Sequence, residues 1–489
     1  MGVSPAAPPP HSTDAAAQRS GWQVITAALA LAVTLAGCAA GQARIEGAPP
    51  QDLPLPSGIS VAFNQGGWHR YRSPISGRWR RGDDLEAMIL NAIAEARQEI
   101  LVAVQELSLP KVATALVEAQ RRGVKVEVVL EDTYSTPWSS LSAIDRAALP
   151  AHQLHRITQL QALGQGDAVA LLQQGGVPLL DDKADGSKGS GLMHHKFLVA
   201  DRRVVVTGSA NFSPSCIHGD PDDPSSRGNV NHLLRFESPE LAALFAAEFA
   251  RLWGDGPGGL PDSRFGLGKG EGGPRSVQIG GTRVEVLFAP HRRRDPANGL
   301  TWLETQLAGA RQRIAMALFV FSAQNLADAL AVLHQRGVGI RLLADPGFAS
   351  RPFSEVLDLL AVSQPDQRCR LEAGNTPWAM ALEGVGIPRL AAGDKLHHKV
   401  AVIDGRTVIS GSFNWSPSAA FQNDETLLRI DSPQLAAHFN AEIDRLWQGA
   451  ELGVSRRIER RLRRQRERCG RGQAREGQPP LASTISIRP

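Results

Sequence analysis

The stretch Met193-His194-His195-Lys196 returns in the second half of the chain as Leu396-His397-His398-Lys399. The likeness extends upstream, where residues 96–126 and 310–340 both contain Ala-Arg-Gln-x-Ile and, further on, Arg-Gly-Val. Internal self-similarity of this kind indicates two copies of one structural unit. The sequence therefore predicts two homologous halves joined by the Gly/Pro-rich segment 255–281.

Local patterning predicts how each half folds. In the first half, residues 85–96 and 112–120 repeat apolar side chains at helical spacing, whereas 100–104 and 124–130 are short apolar runs typical of buried strands. A strand, a helix and a second strand in that order predict a parallel strand pair in an α/β layer. Because the second half repeats this order, the predicted fold class is α/β, with two homologous domains packed about a pseudo-twofold axis.

Length and composition set the outer limits. The chain has 489 residues, of which 42% are apolar and 21% are charged, as in ordinary globular proteins. This composition excludes collagen, a coiled coil, a wholly disordered chain and a multi-span membrane protein. The predicted organisation is a signal or lipoprotein segment over 1–40, a tether and N-terminal extension over 41–78, a first domain over 79–254, a linker over 255–281, a second domain over 282–450 and an Arg-rich tail over 451–489.

The formal net charge of +4 is unevenly distributed. Residues 451–489 hold eleven Arg and four Glu, so this tail carries +7 and the rest of the chain −3. A body of that charge is a poor match to long stretches of nucleic acid, whose binding depends on neutralising phosphates. The tail could be drawn to an anionic membrane surface or to nucleic acid, or it could be a solvated tail. Its apolar residues Ile458 and Leu462, four apart, form a stripe that is expected to be too thin to bury.

The N-terminus has the features of a targeting segment. Arg19 precedes an apolar run from Trp22 to Ala36, which is too short for a comfortable membrane span. The sequence then continues to Gly37 and Cys38 and resembles the bacterial lipobox, in which the cysteine is lipidated and becomes the mature N-terminus. Ordinary signal cleavage and an uncleaved anchor are the alternatives. We expect export to the bacterial cell envelope, with a membrane tether through Cys38.

The other cysteines are Cys216, Cys369 and Cys469. In an oxidising compartment Cys216 and Cys369 could form a disulfide, although nothing in the sequence requires it.

The chemistry is expected where the two copies match. Each copy contains His-x-Lys-x4-Asp followed by Gly-Ser-x-Asn at the same offset. His and Lys two residues apart on a strand face the same side. Lys supplies a fixed positive charge, His titrates near neutrality, and Ser and Asn add neutral hydrogen-bond donors, which together suit a phosphate whose charge grows in the transition state. Two such clusters on a twofold axis place two histidines on opposite sides of one phosphorus, one to attack in line and one to protonate the leaving oxygen.

The paired motifs resemble the phospholipase D superfamily, whose signature is the HKD motif followed by Gly-Ser-x-Asn. The resemblance covers roughly residues 80–450. It implies an active site at the interface of the two domains, a phosphohistidine on one His, and general acid and then base catalysis by the other, with no metal or other cofactor. The catalytic set that it implies is His194, Lys196, Asp201, His397, Lys399, Asp404 and Glu425, and the substrate-binding set is Ser209, Asn211, Ser412 and Asn414.

One asymmetry within this set separates the two histidines. In similar enzymes an acidic residue downstream of each motif orients the His of the opposite half. Glu425 holds that place in the second half, but the first half has Asn231. The difference favours His194 as the nucleophile and His397 as the acid and base.

Neighbouring residues have other expected roles. Asp201 and Asp404 are better suited to structural partners near the turn than to proton carriers. His195 and His398 should face the other side of their strands, and no Cys or acidic set has the spacing of a zinc site around them. The insert 216–226, which the second half lacks, could line the substrate mouth, bind a cation or form a surface loop.

Three functions from different classes compete. The leading hypothesis is a phosphodiesterase of the phospholipase D type, which hydrolyses phospholipid head groups or transfers the phosphatidyl group to an alcohol. A cardiolipin synthase-like phosphatidyltransferase is the nearest variant, and a metal-independent nuclease is an alternative that the charge of the body does not favour. A non-catalytic binding protein is the third, against which the intact motifs argue. The expected partners are a phospholipid substrate and a membrane surface, for a monomer whose two pseudo-symmetric halves complete one site.

Overall fold

The computed structural model describes residues 53–66, 69–187 and 191–470. The predicted signal segment with Cys38 and the last residues of the Arg-rich tail lie outside these ranges. No helix within them is long and apolar enough to cross a bilayer. Both halves of the repeat belong to one unit, residues 50–489.

The first half is built on a seven-stranded sheet of order β1-β9-β8-β7-β4-β5-β6, with β2 and β3 forming a separate hairpin. The strands are β1 (Ile59–Phe63), β2 (Arg70–Arg72), β3 (Trp79–Arg81), β4 (Glu99–Val104), β5 (Lys125–Leu130), β6 (Leu179–Asp181), β7 (Lys196–Ala200), β8 (Val204–Gly208) and β9 (His232–Glu237). The helices are α1 (Leu85–Glu95), α2 (Pro110–Arg121), α3 (Ala143–Ala148), α4 (Ala151–Ala162), α5 (Ala168–Gln174), α6 (Pro214–Ile217) and α7 (Pro239–Trp253).

The second half has a nine-stranded sheet of order β10-β11-β17-β16-β15-β12-β13-β14-β18. The strands are β10 (Arg275–Ile279), β11 (Thr282–Ala289), β12 (Arg313–Leu318), β13 (Gly339–Ala344), β14 (Val385–Ile387), β15 (Lys399–Ile403), β16 (Thr407–Gly411), β17 (Glu425–Asp431) and β18 (Glu451–Leu452). The helices are α8 (Gly299–Ala308), α9 (Gln324–Gln335), α10 (Glu355–Leu359), α11 (Pro417–Phe421), α12 (Pro433–Trp447) and α13 (Arg456–Cys469).

The predicted parallel pair is present in both halves, as β4 with β5 and as β12 with β13. Helix α2 connects the first pair; it begins at Pro110, whose fixed φ suits a first helical turn, and it buries Val112 and Leu116 on one face. The chain leaves α2 through Gly123 and leaves α9 through Gly337, with φ of +88° and +84°, values that favour glycine. The predicted α/β class with two repeated domains is confirmed.

A core shared by the two halves brings their sheets together. Helices α7 and α12 begin alike, because Ser238 and Ser432 each accept a hydrogen bond of 3.1 Å from the backbone N–H three residues on and are followed by proline. Both helices pack into one hydrophobic core, which contains Phe245 from the first half and Phe439 from the second. Each half has a further core of its own. The shared core holds the two motif-bearing sheets in one arrangement.

Two segments predicted to lie outside the domains belong to their sheets. The extension predicted over 41–78 contains β1, which pairs antiparallel with β9. The linker predicted over 255–281 contains β10, which pairs antiparallel with β11. Ahead of β10, the buried Lys269 forms ion pairs with Glu248 and, at 2.8 Å, with Asp424. The sequence does not predict these features, because a single lysine in a Gly-rich stretch and a short edge strand produce no clear periodicity.

The described part of the tail, residues 451–470, consists of ordered structure: the short strand β18, which pairs with β14, and the helix α13. Helix α13 is capped by Ser455, whose hydroxyl accepts a hydrogen bond from the N–H of Ile458. Ile458 is fully buried and Leu462 packs against the second-half core, so the expectation that this stripe is too thin to bury is wrong.

A disulfide explains how so thin a stripe suffices. Cys469, at the end of α13, is bonded to Cys369, with the two Cα atoms 5.5 Å apart. The pairing considered between Cys216 and Cys369 is therefore wrong, and Cys216 is a buried free thiol. The sequence could not choose among three cysteines, because the choice depends on where α13 packs.

Candidate active site

The two motif histidines sit where each half reaches across to the other. His194 and His397 lie two residues before the first residues of β7 and β15, and both are buried. The N–H of His194 donates to the carbonyl of Asp424 at 3.0 Å, and the N–H of His397 donates to the carbonyl of Val230, also at 3.0 Å. This reciprocal pairing across the halves is the geometry of a pseudo-twofold axis through the site.

His194 is held by a carboxylate from the opposite half. Its Nδ1 lies 2.7 Å from Oε2 of Glu425, which is fully buried. The hydroxyl of Ser412 donates to the same carboxylate at 2.6 Å, and the amide of Asn423 donates to the other oxygen at 3.2 Å. Because the carboxylate accepts the Nδ1 proton, the lone pair of Nε2 is left for reaction.

The charges around His194 set its protonation. Burial lowers the pKa of His194 to about 4, and Glu425 opposes that shift without overcoming it. Burial alone would raise the pKa of Glu425, but His194, Lys196 and the hydrogen bond from Ser412 bring it below its usual value. The pair is thus a neutral imidazole beside an ionised carboxylate, as a nitrogen nucleophile requires.

His397 has a neutral support in the equivalent position. Its Nδ1 lies 3.0 Å from Oδ1 of Asn231 and 3.1 Å from the carbonyl of Ser209. The amide nitrogen of Asn231 already donates to the carbonyls of Cys216 and Asn229, so its oxygen is the atom that faces His397. Both partners accept, so Nδ1 carries the proton and Nε2 is again free. Burial and the charge of Lys399 lower the pKa of His397 well below its usual value.

Two buried lysines give the site a positive charge. Nζ of Lys196 donates to the carbonyl of His194, and Nζ of Lys399 donates to that of His397, both at 2.7 Å. Burial lowers the pKa of Lys196 to about 8 and that of Lys399 well below its usual value, and the two lysines repel each other. A bound anion would relieve that repulsion, since a negative charge favours the charged form of both.

The two Gly-Ser-x-Asn turns contribute in two ways. Ser209 donates to Asn231 at 2.8 Å, as Ser412 does to Glu425, so the serines hold the groups that orient the histidines. Within the described residues, Oδ1 of Asn211 and of Asn414 has no hydrogen-bond partner, although each atom is buried. The asparagines therefore keep polar capacity for a ligand, whereas the hydroxyl protons of Ser209 and Ser412 are already donated within the protein, and substrate binding by the serines stays a prediction.

The aspartates of the two motifs lie away from the histidines. Asp201 accepts three backbone hydrogen bonds of 2.7 to 3.0 Å from residues 97–99, and Asp404 accepts three of 2.8 to 2.9 Å from residues 311–313. Both occupy left-handed turns at the far ends of β7 and β15, with φ near +50°. This placement agrees with the expected role as structural partners near the turn, because strand geometry puts both aspartates at the opposite edge of the sheet from the motif histidines; their inclusion in the catalytic set stays a prediction.

The second histidine of each motif faces the shared core. His195 contacts Thr426 through Nδ1 at 2.9 Å and Glu248 through Nε2 at 3.2 Å. His398 contacts His232 at 3.0 Å, and its Nε2 lies 3.6 Å from Glu442. Side-chain alternation along a strand explains this separation from His194 and His397.

A residue pair that the motifs do not mark also lines the site. Gln105, just after β4, accepts a hydrogen bond of 3.2 Å from Asn211. Its counterpart after β12 is Phe319, whose ring lies 4.6 Å from that of His397 and 4.9 Å from Nζ of Lys399. The repeat alignment contains the signal for both, since each residue directly follows the strand that pairs with a motif strand.

The insert 216–226 forms part of the first-half surface. Asp220 and Asp222 both accept hydrogen bonds of 2.7 Å from Gln159 on α4. With the exposed His155 they form one of two groups that could hold a cation, the other being Glu131, Asp132 and Asp182. Neither group includes His194 or His397.

Comparison with known proteins places the chain in a family. A "Mitochondrial cardiolipin hydrolase" of Xenopus laevis is 30% identical over 146 residues, which are 30% of this chain and 60% of that protein. A "Phospholipase D" of Rickettsia bellii is 28% identical over 159 residues, 32% of this chain and 66% of its own length. The match thus spans less than two thirds of either relative.

A solved structure resembles the two halves together. The phosphatidylserine synthase of Haemophilus influenzae Rd KW20 superposes with a TM-score of 0.51 at 13% identity, over 82% of this chain and 89% of that one. The likeness supports the fold. The family described as "Cardiolipin synthase, PLD-like domain" matches residues 89–253 and 303–447, which contain both motifs. The chain therefore belongs to this phospholipase D-like family.

Proposed function

We propose that the protein is a phosphodiesterase of the phospholipase D type that acts on phospholipids through a phosphohistidine at His194. The observation that carries the proposal is the unequal support of two buried imidazoles, Glu425 behind His194 and Asn231 behind His397, beside two buried lysines. The names of the relatives support a phospholipid as substrate.

In the first step, Nε2 of His194 attacks the phosphorus and the bond from phosphorus to the head-group oxygen breaks. The carboxylate of Glu425 stabilises the positive charge that develops on the ring. The proton on the leaving oxygen comes from Nε2 of His397, which becomes protonated when the anionic phosphodiester raises its pKa. Lys196, Lys399 and the two asparagines would contact the non-bridging oxygens.

In the second step, a water molecule attacks the phosphorus and its proton passes to His397. The N–P bond breaks, phosphatidate leaves, and both histidines return to their first state. An acceptor alcohol in place of water would make the same site a phosphatidyltransferase. The description of the matched family as a cardiolipin synthase supports this second activity.

The test uses purified protein, EDTA and vesicles of mixed phospholipids, with products identified by mass spectrometry. We expect phosphatidate from the unaltered protein and none from His194→Ala, while His334→Ala, which changes an exposed histidine on α9, keeps full activity. An exchanged lipid that appears when glycerol is added would establish transfer. If no lipid turns over while a DNA fragment is cleaved, the protein is a nuclease instead.

We also propose that the protein is exported and tethered through Cys38. The Cys369–Cys469 disulfide supports export, because such bonds persist in oxidising compartments. Intact-mass analysis of the membrane-extracted protein should find an acylated cysteine at the N-terminus, and Cys38→Ala should release the protein from the membrane fraction. An unmodified Cys38 within a longer N-terminal peptide would refute the tether.

A further inference from the structure

Helix α13 presents a dense positive surface. Residues 456–469 contain eight Arg and two Glu, a net charge of +6. Ile458 and Leu462, four residues apart, face the core, so the arginines occupy the remaining circumference of the helix. The exposed ones are Arg456, Arg457, Arg460, Arg463, Arg464, Arg466 and Arg468.

Ion pairs within the described residues do not neutralise this charge. Among the ion pairs of the described residues, none involves an arginine of α13. The pKa of Arg461 is lowered by burial and then by the charges of Arg351, Arg457 and Arg464, which is the signature of a cluster of like charges. A surface that keeps such repulsion favours an external anion.

The helix is connected to the active site by direct contacts. Arg461 donates to the carbonyl of Ser350 at 2.9 Å, in the loop that follows β13. In the same loop, the ring of Phe348 lies 4.6 Å from that of Phe319, which in turn lies 4.6 Å from His397. Ile458 and Leu462 pack α13 against the second-half core, and the Cys369–Cys469 disulfide fixes the end of the helix. The positive surface is therefore fixed with respect to the site.

We propose that the arginine face of α13 docks the protein on the surface of an anionic phospholipid bilayer and thereby presents the active site to its substrate. The inference rests on the proposed phospholipid substrate. The exposed face has no apolar or aromatic residue, so it binds by charge at the surface of the bilayer and does not insert.

The surrounding surface favours a bilayer over nucleic acid. Single-stranded nucleic acid needs aromatic side chains on which bases stack, and α13 exposes none. A strand that continued from α13 onto the rest of the protein would also meet a body of unfavourable charge, since residues 1–450 carry a net charge of −3. A bilayer can instead be touched from the α13 side alone, and it offers one phosphodiester at a time.

The test measures binding separately from catalysis. Full-length His194→Ala protein is sedimented with vesicles of phosphatidylcholine alone and with vesicles that also contain phosphatidylglycerol. The readout is the ratio of the two binding constants, which cancels any anchoring by the N-terminus. Each arginine close to an anionic surface strengthens binding roughly fivefold, so R460Q/R463Q/R464Q should lower the ratio on the order of 100-fold. The ratio should also fall steeply with added salt.

The matched control removes the same charge from the other edge of the sheets. Arg121 is the last residue of α2, Arg336 directly follows α9, Arg311 lies two residues before β12, and all three are exposed. The variant R121Q/R311Q/R336Q should keep the ratio of the parent, and an equal loss in both triple variants would overturn the proposal. The proposal would also be overturned if the parent bound a DNA fragment more tightly than anionic vesicles and the α13 variant did not.

A second measurement separates this inference from the proposed function. With His194 restored, the α13 variant should cleave a soluble short-chain phospholipid at the rate of the parent and anionic vesicles more slowly. Vesicle binding through α13 without any phospholipid cleavage would leave the docking surface in place and refute the proposed reaction. Cleavage of the soluble lipid with no preference for anionic vesicles would support the proposed reaction and refute the docking surface.

Discussion

Replacing Glu425 by Gln tests the proposed division of labour most directly. The substitution keeps the size of the side chain and removes its charge. An amide can orient a histidine in this position, because Oδ1 of Asn231 lies 3.0 Å from Nδ1 of His397. The structural change should therefore be small. What is lost is a negative charge 2.7 Å from the ring on which positive charge develops as the N–P bond forms.

The magnitude follows from that geometry. Two unit charges about 4 Å apart interact by about 4 kcal/mol at an effective dielectric constant of about 20. A neutral hydrogen bond from the new amide restores about 1–2 kcal/mol of this. The remaining 2–3 kcal/mol corresponds to a kcat that is roughly 30- to 150-fold lower.

The assay is the initial rate on a soluble short-chain phospholipid, with thermal unfolding as the control for folding. Rapid quenching, digestion and mass spectrometry locate the phosphorylated histidine. The reasoning fails if Glu425→Gln lowers kcat less than about threefold, or if the unaltered protein carries the phosphoryl group on His397. The companion variant Asn231→Asp places a carboxylate beside His397, so it should raise the pKa of that histidine and move the alkaline limb of the pH–rate profile upward.

The other predictions concern stability. Asp201→Asn should lower the free energy of unfolding by about 1–3 kcal/mol in denaturant titrations, because it weakens three backbone hydrogen bonds, and it should change kcat by less than about twofold. Removing the disulfide with Cys369→Ser and Cys469→Ser opens a loop of sequence separation 100 and should cost about 4–5 kcal/mol, whereas a reductant should then have no further effect. Acidification should also destabilise the protein. The folded pKa of His194, about 4, lies below the unfolded value of about 6.5, and that of His397 is lowered in the same sense, so the unfolded chain binds more protons as pH falls below about 6.5. Moving from pH 7.5 to pH 5 should cost about 2 kcal/mol through His194 and a further loss of the same sign through His397, and a free energy of unfolding that rises over that range would contradict this account.

The repeat and the paired motifs are strong enough to predict the α/β class and the two homologous domains. They work because each feature appears twice at one offset, so a random match is excluded. The family resemblance includes Asp201 in the catalytic set, whereas its position beside a predicted turn favours a structural role, and the sequence alone does not show which end of the strand reaches the site. In the structure, the motif histidine lies near one end of β7 and Asp201 lies in the turn at the other end.

Other features lack any local signal. Lys269 lies in a stretch rich in glycine, yet it is buried between Glu248 and Asp424, a position that only the packing of two distant segments creates. The pairing of Cys369 with Cys469 depends in the same way on where α13 docks. The position of Phe319 at the site can be predicted from the sequence, because an alignment of the two halves matches Phe319 with Gln105.

Under the proposed mechanism, the differences between the two aligned halves determine which side of the phosphorus is attacked and which side the leaving group occupies. Both halves supply the same strand, histidine and lysine, so symmetry alone would let either histidine attack. Glu425 breaks that symmetry by favouring positive charge on His194. In-line displacement then places the leaving oxygen on the opposite side of phosphorus, next to His397. That side is lined by the ring of Phe319, whereas the nucleophile's half carries the amide of Gln105. The ring of Phe319 is therefore expected to contact the leaving alcohol. Substitutions at Phe319 should change the relative rates on phospholipids with different head groups more than they change the rate of attack by His194.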